Sequence, residues 1–141
     1  MTTATVLVIE DDSVQANTLA RRIQERFPGV KVKIINTESN FHKQLPSLNP
    51  AEIRVAVVDM MLRWADPAPE MEMPPQEIID EGFFVGGLRC RKALVARGIP
   101  TIIYTVLDRE SVPGLKPPEI EYVRKGPSAE DLLTCLSRFL E

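Results

Sequence analysis

Near its amino terminus the chain reads Thr5-Val6-Leu7-Val8-Ile9-Glu10-Asp11-Asp12, a continuous β-prone run that ends in three carboxylates. A continuous apolar run, rather than an alternating one, is typical of a strand that is covered on both faces of its sheet. Asp12 or Ser13 can then cap a helix, because the apolar residues between Ala16 and Phe27 recur at helical spacing. The chain therefore opens with a buried strand, an acidic turn and an amphipathic helix.

The same alternation of apolar runs and helical patterns continues along the chain. Further strands are predicted at 30–35, 55–58, 101–104 and 121–124, and helices around 41–48, 82–97 and 128–140. Strands that alternate with helices predict an α/β fold, a (βα)5 doubly wound, five-stranded parallel sheet. Ligands of such sheets bind beyond the carboxyl ends of the strands, so the polar residues at those ends form the candidate site.

Composition limits the class of protein. The chain has 141 residues, which fits a single domain over 1–141, and 17 basic against 20 acidic residues give a net charge of −3. That balance lacks the broad basic field of direct nucleic-acid binding. Cys90 and Cys135 show no motif spacing, and no apolar run is long enough to span a membrane. With no signal-peptide pattern, we expect a cytoplasmic protein.

Polar residues follow four of the predicted strands. They are Glu10 and Asp11, Asp59, Thr105, and Lys125. Clustered carboxylates repel one another, and a hard divalent cation such as Mg²⁺ relieves that repulsion. A carboxylate beside Mg²⁺ can act as a nucleophile toward phosphorus, while an ammonium and a hydroxyl stabilise the charge on the phosphoryl oxygens. The residues therefore predict a magnesium-assisted, phosphoryl-accepting aspartate.

The order and spacing of these residues resemble the response-regulator receiver family of two-component signalling. The matching segments are 6–13, 55–62, 100–105 and 121–125. The resemblance implies a CheY-like, flavodoxin-like fold in which a histidine kinase or a phosphotransfer protein phosphorylates Asp59. It also implies that Asp11 and Asp59 ligate Mg²⁺ directly, that Met61 contributes its backbone carbonyl, and that Glu10 acts through water.

The resemblance also assigns roles to three residues near the ends of the last two strands. Thr105 and Lys125 match the residues that contact the phosphoryl group, and Tyr122 matches the aromatic switch that follows the movement of Thr105. Such a receiver is not an enzyme with an external substrate, since it catalyses only its own phosphorylation and dephosphorylation. Its output passes to a downstream protein, and it can form a homodimer.

The chain departs from the family pattern in three places. The stretch 63–81 is an insertion rich in proline and acidic residues, and its composition favours an extended loop. Trp64, at its start, is expected to be packed. The prolines in 108–120 argue against a regular helix there, and Gly126 stands where the family has proline.

Three interpretations remain open from the sequence. The first is a stand-alone phosphoacceptor receiver. The second is a degenerate receiver that acts as an interaction module independent of phosphorylation, which the insertion favours and the intact acidic set opposes. The third is a small magnesium-dependent phosphatase, although Glu10-Asp11-Asp12 lacks the Asp-x-Asp pattern of one such class.

Several other polar residues are expected to have no function. His42 is the chain's single histidine and is predicted to lie on the surface without a partner. Arg89, Arg91 and Lys92 are predicted to form a solvated helix face, and both cysteines to be small buried groups.

Overall fold

The structure, a computed structural model, describes residues 4–66, 70, 73–82, 85–107 and 121–141. Its strands are all parallel and lie in one sheet in the order β2-β1-β3-β4-β5, which confirms the predicted α/β class. The strands are β1 (Thr5–Ile9), β2 (Lys31–Ile35), β3 (Ile53–Val58), β4 (Thr101–Thr105) and β5 (Glu121–Arg124). The α-helices are α1 (Ser13–Arg26), α2 (Glu38–Gln44), α3 (Gln76–Glu81), α4 (Gly86–Ala96) and α5 (Glu130–Leu140), and a 3₁₀ turn covers Leu45–Ser47.

Two hydrophobic cores cover the two faces of the sheet. Along β1, Val6 and Val8 belong to the core under α1 and α5, whereas Leu7 and Ile9 belong to the core under α2 and α4. Successive side chains of a strand point to opposite faces, so both faces need apolar residues when both are covered. This is why 6–9 in β1 and 55–58 in β3 are continuous apolar runs.

Helix α1 begins directly after the acidic turn. Of the two possible caps, the structure uses Asp12, whose Oδ1 accepts the backbone N–H groups of Val14 and Gln15 at 2.9 and 3.1 Å. These hydrogen bonds, that from Gln15 above all, hold the pKa of Asp12 below its ordinary value. The cap fixes the turn that carries Asp11 beyond the end of β1.

The stretch 63–81 is not wholly an extended loop, because it contains helix α3. The carbonyl of Pro75 accepts the N–H groups of Ile78 and Ile79 at 3.0 and 3.2 Å, and the N–H of Gly82 closes the helix on the Ile78 carbonyl. Proline is tolerated at a helix start, where no backbone donor is required. Gly82 has a φ of +89°, a backbone conformation that favours glycine. Helix α4 was predicted to begin near Gly82, but it begins at Gly86. The prediction for 108–120 lies outside the described residues.

The first residues after β3 are part of the packed fold. Leu62 and Trp64 are buried, at 1% and 7% exposure. The carbonyls of Arg63 and Trp64 accept the N–H groups of Glu38 and Ser39 at 3.0 and 2.8 Å. They thereby satisfy donors that the first turn of a helix leaves without a partner. Residues 62–64 therefore stabilise the start of α2.

A buried ion pair joins α2 to α4. Glu38 is fully buried, and Arg89 Nε and Nη2 each donate to its carboxylate at 2.7 Å, while His42 Nε2 lies 3.1 Å from it. Arg89 Nη1 also donates to the carbonyl of Gly82 at 3.0 Å. Burial acts to raise the pKa of Glu38, but the bonds from Arg89 and His42 outweigh it and lower that pKa. The predictions that Arg89 is solvated and that His42 lacks a partner are therefore wrong.

Replacement of Arg89 by methionine, Arg89→Met, is expected to destabilise the protein by about 3–5 kcal/mol, because it leaves the buried Glu38 charge without its main partner. The free energy of urea unfolding measures the loss. Lys92→Met removes an exposed charge from the same helix and should change stability little.

The double variant Glu38→Gln, Arg89→Met should recover part of the lost stability, because the buried charge is then absent. A double variant that is as unstable as Arg89→Met alone would contradict this account of the pair.

Candidate functional site

Four strand ends meet at one edge of the sheet. Glu10 follows β1, Asp59 follows β3, Thr105 ends β4 and Lys125 follows β5. The backbone pairing continues past the strands, since the Asp59 N–H donates to the Ile9 carbonyl at 3.0 Å and the Lys125 N–H donates to the Thr105 carbonyl at 2.7 Å. Because β1 and β3 are neighbours in the sheet, Glu10 and Asp59 lie side by side.

Three carboxylates form the centre of the site. One oxygen each of Glu10, Asp11 and Asp59 lies within 4.8 Å of the other two. The side chains of Glu10 and Asp59 are 7% and 13% exposed, and that of Asp11 is 27% exposed. A set of hard oxygen donors that is open to solvent on one side fits Mg²⁺, which prefers a few protein oxygens and keeps several waters. The residues present therefore fit the predicted metal.

Lys125 is the cation that faces Glu10 and Asp59. Its ammonium donates to Glu10 Oε1 at 2.5 Å, to Asp59 Oδ2 at 3.1 Å and to Gln15 Oε1 at 3.0 Å. Its side chain is only 14% exposed, so burial acts to lower the pKa of Lys125, but Glu10 and Asp59 outweigh that effect and raise the pKa. Lys125 is therefore charged at neutral pH.

The pKa of Glu10 is also raised, but for a carboxyl group that shift favours the neutral form. Its burial, and then the negative charge of Asp59, raise its pKa to about 7 in spite of the hydrogen bond from Lys125. Its Oε2 also accepts the Asp12 N–H at 3.3 Å, and its carbonyl accepts Asn36 Nδ2 at 2.9 Å. A proton on Glu10 would therefore compete with a cation at this site near neutral pH.

The remaining predicted residues are Thr105, Met61 and Tyr122. Thr105 is fully buried, and its hydroxyl accepts the Leu107 N–H at 3.4 Å. Met61 follows Asp59 by two positions and is 39% exposed. Tyr122 lies on β5 opposite Ile103, where its partly buried ring packs against the core under α2 and α4. The structure thus gathers Glu10, Asp11, Asp59 and Lys125 into one cluster, with Thr105 at the neighbouring strand end.

Gly87 is a site residue that the sequence analysis missed. Its N–H donates to the Met60 carbonyl at 2.8 Å, and a Cβ added at this position would lie 2.2 Å from the Asp59 carbonyl oxygen. Only a residue without a Cβ permits α4 to approach the backbone of Asp59 so closely. The pair Gly86-Gly87 at a helix start was the available signal.

Arg63 and Gln15 also contact the site. The Arg63 N–H donates to Asp11 Oδ2 at 3.0 Å, and its Nη2 donates to the Asp11 carbonyl at 3.1 Å. Gln15 could have been found from helical spacing, because it lies one turn after the Asp12 cap. Arg63 had no such signal, since it lies in the stretch that departs from the family pattern.

The fold is that of response-regulator receiver domains. The receiver domain of HemR from Leptospira biflexa matches with a TM-score of 0.65 at 18% identity, over 99% of this chain and 95% of that chain. The response regulator TrrA from Thermotoga maritima, solved with Mg²⁺ and BeF, matches with a TM-score of 0.68 at 18% identity, over 98% of this chain and 100% of that chain.

A third match agrees with these. A response-regulator receiver domain from Clostridium thermocellum has a TM-score of 0.64 at 21% identity, over 97% of this chain and 94% of that chain. No family model and no curated protein matches the chain. Within the described part of the chain, no helix has the length and apolar character needed to cross a membrane. These matches establish the fold.

Gly87→Ala is expected to destabilise the protein by about 1–3 kcal/mol, because the added Cβ would overlap the Asp59 carbonyl. This is opposite to the usual effect, since alanine is ordinarily the better helix former. Thermal or urea unfolding measures the change. Gly126→Ala is the matched control, because a Cβ there meets no heavy atom within 4 Å. Equal stability of the two variants would contradict the proposed close approach.

Divalent-cation binding at this site should weaken as the pH falls, because a proton on Glu10 competes with the cation. With the pKa of Glu10 at about 7, Mg²⁺ should bind up to about tenfold more tightly at pH 8 than at pH 6. Isothermal titration calorimetry in buffers of different ionisation enthalpy measures both affinity and proton release.

The variant Glu10→Gln carries no titratable group at this position and should flatten the pH profile. A profile that stays as steep in Glu10→Gln as in the wild type would show that another group competes with the cation.

Proposed function

We propose that this chain is a phosphoacceptor receiver that accepts a phosphoryl group on Asp59 with Mg²⁺ and so switches a protein-interaction surface. The arrangement of Asp59 supports this proposal. One of its carboxylate oxygens lies 3.1 Å from the Lys125 ammonium, and it shares a cluster with the oxygens of Glu10 and Asp11. A nucleophilic carboxylate thus has a partly buried cation beside it and candidate metal-ligating oxygens around it.

In this proposal Glu10, Asp11, Asp59 and the backbone carbonyl of Met61 would hold Mg²⁺. The bound Mg²⁺ would offset negative charge on the phosphoryl oxygens. An oxygen of Asp59 attacks phosphorus and forms an acyl phosphate, while the bond from phosphorus to the donor breaks and its electron pair leaves with the donor. Lys125 neutralises one phosphoryl oxygen, as a charge-assisted donor in a nearly dry position does most effectively.

The proposed switch begins at Thr105. Its buried hydroxyl accepts a weak hydrogen bond from Leu107 at 3.4 Å, and it is free to donate to a phosphoryl oxygen on Asp59. Movement of Thr105 would change the space available to Tyr122 on the neighbouring strand. Such a change biases a two-state surface element by means of one new charge cluster.

The resemblance to receiver domains implies the partners of such a protein. The donor is a phosphohistidine on a histidine kinase or phosphotransfer protein, and the output is a downstream protein or a second copy of the chain. In this proposal the chain turns over no external substrate, since it catalyses only the phosphorylation and dephosphorylation of its own Asp59.

The test is the mass of the intact protein after incubation with a small acyl phosphate, with and without Mg²⁺. We expect one added phosphoryl group that requires both Mg²⁺ and Asp59, so Asp59→Asn should gain none. Asp80→Asn is the control, because this carboxylate is exposed on α3 and lies outside the cluster.

The opposite outcome identifies the alternative function. If no phosphoryl group is added and Mg²⁺ does not bind, the site is not a phosphoacceptor, and the chain is a degenerate receiver that acts through protein contacts alone. Steady turnover of a phosphoester would instead indicate a phosphatase.

A further inference from the structure

Arg63 holds Asp11 by both its backbone and its side chain. The Arg63 N–H donates to Asp11 Oδ2 at 3.0 Å, Nη2 donates to the Asp11 carbonyl at 3.1 Å, and Nε lies 3.9 Å from Oδ2. Oδ2 therefore accepts a hydrogen bond from the Arg63 backbone N–H, and the positive charge of the guanidinium lies close to the same oxygen. The other oxygen of Asp11 accepts no hydrogen bond from the residues that the structure describes.

The carboxylate cluster thus faces two cations from different directions. Lys125 contacts Glu10 and Asp59, whereas Arg63 contacts Asp11. The two cations differ in exposure, since the Arg63 side chain is 45% exposed and that of Lys125 is 14% exposed. A half-exposed guanidinium is screened by water and salt and can move away, whereas Lys125 is held in place by three oxygen acceptors.

We propose that Arg63 is a positioning residue that sets the affinity of this site for divalent cations. Its backbone N–H orients the Asp11 carboxylate, and its guanidinium charge opposes a cation that binds to the same carboxylate. The inference rests on the proposed function to the extent that it concerns the same metal site. The inference adds Arg63, from the stretch 63–81, to that site and assigns to it an effect on cation affinity.

The backbone and charge contributions can be separated by substitution. Arg63→Gln keeps the N–H bonded to Asp11 and the carbonyl that accepts from Glu38, but it removes the positive charge. Mg²⁺ should then bind roughly three- to tenfold more tightly, as expected when a unit charge is removed a few ångströms from a divalent cation in a solvated site. Arg63→Lys keeps the charge and should bind Mg²⁺ with nearly wild-type affinity.

The experiment is a Mg²⁺ titration by calorimetry at low ionic strength, repeated with Mn²⁺ and detection of the free ion by electron paramagnetic resonance. Arg54→Gln is the matched control. It changes the net charge equally, but Arg54 is exposed near the start of β3, at the opposite edge of the sheet. The difference between wild type and Arg63→Gln should shrink in high salt, a response that a purely structural role would not produce.

Three results would overturn the inference. The first is Mg²⁺ binding by Arg63→Gln that is no tighter than in the wild type. The second is Arg63→Lys or Arg54→Gln binding as tightly as Arg63→Gln, because the local charge would then not be the cause. The third is that neither the wild type nor Arg63→Gln binds Mg²⁺ or Mn²⁺.

The proposed function can be wrong while this inference about Arg63 holds. A protein that binds the cations in the expected order of affinity, but gains no phosphoryl group on Asp59, would retain the role of Arg63 and lose the phosphoacceptor role. Matching far-ultraviolet circular dichroism and thermal midpoints show that the variants fold alike.

Discussion

The contact of the Lys125 ammonium with the carboxylates of Glu10 and Asp59 holds the site together. Carboxylates this close repel one another, and the burial of Glu10 adds a desolvation cost that raises its pKa. Lys125 offsets part of that cost, and it reaches from the end of β5 to residues that follow β1 and β3. A single side chain thereby connects three strand ends, and the same ammonium is placed to meet the charge of a phosphoryl group.

Residues at the start of the stretch 63–81 stabilise the site at Asp11. Arg63 holds Asp11, while its carbonyl and that of Trp64 cap the start of α2. Arg89 then connects Glu38 of α2 to the end of α3. The acidic turn, the start of α2 and residues 63–64 therefore belong to one hydrogen-bonded network. The Asp11 carboxylate is thus linked to α2 through Arg63, whose N–H donates to Asp11 and whose carbonyl accepts from Glu38.

Parts of the fold and site were predictable from local rules. Continuous apolar runs identified the strands of the doubly covered sheet, and residues just after those runs identified Glu10, Asp59 and Lys125 as neighbours. Other parts depend on contacts between distant segments. Arg89 and Lys92 look alike in the sequence, yet Arg89 is in a buried ion pair because Glu38, from another helix, faces it. Gln76–Glu81 forms a helix although the prolines that precede it suggested a loop, because proline is tolerated at a helix start.

Apolar periodicity along the chain was sufficient to predict the α/β class and the strand ends, because it is a local property. The polar residues that meet at one edge could then be predicted, because the carboxyl ends of parallel strands share that edge. Only the tertiary structure decided which oxygens lie together, which cation faces each carboxylate, and that Gly87 must lack a side chain. Those facts depend on distances between segments that are far apart in the chain. Burial and charge interactions change steeply over a few ångströms, so they cannot be predicted from the spacing of residues along the sequence.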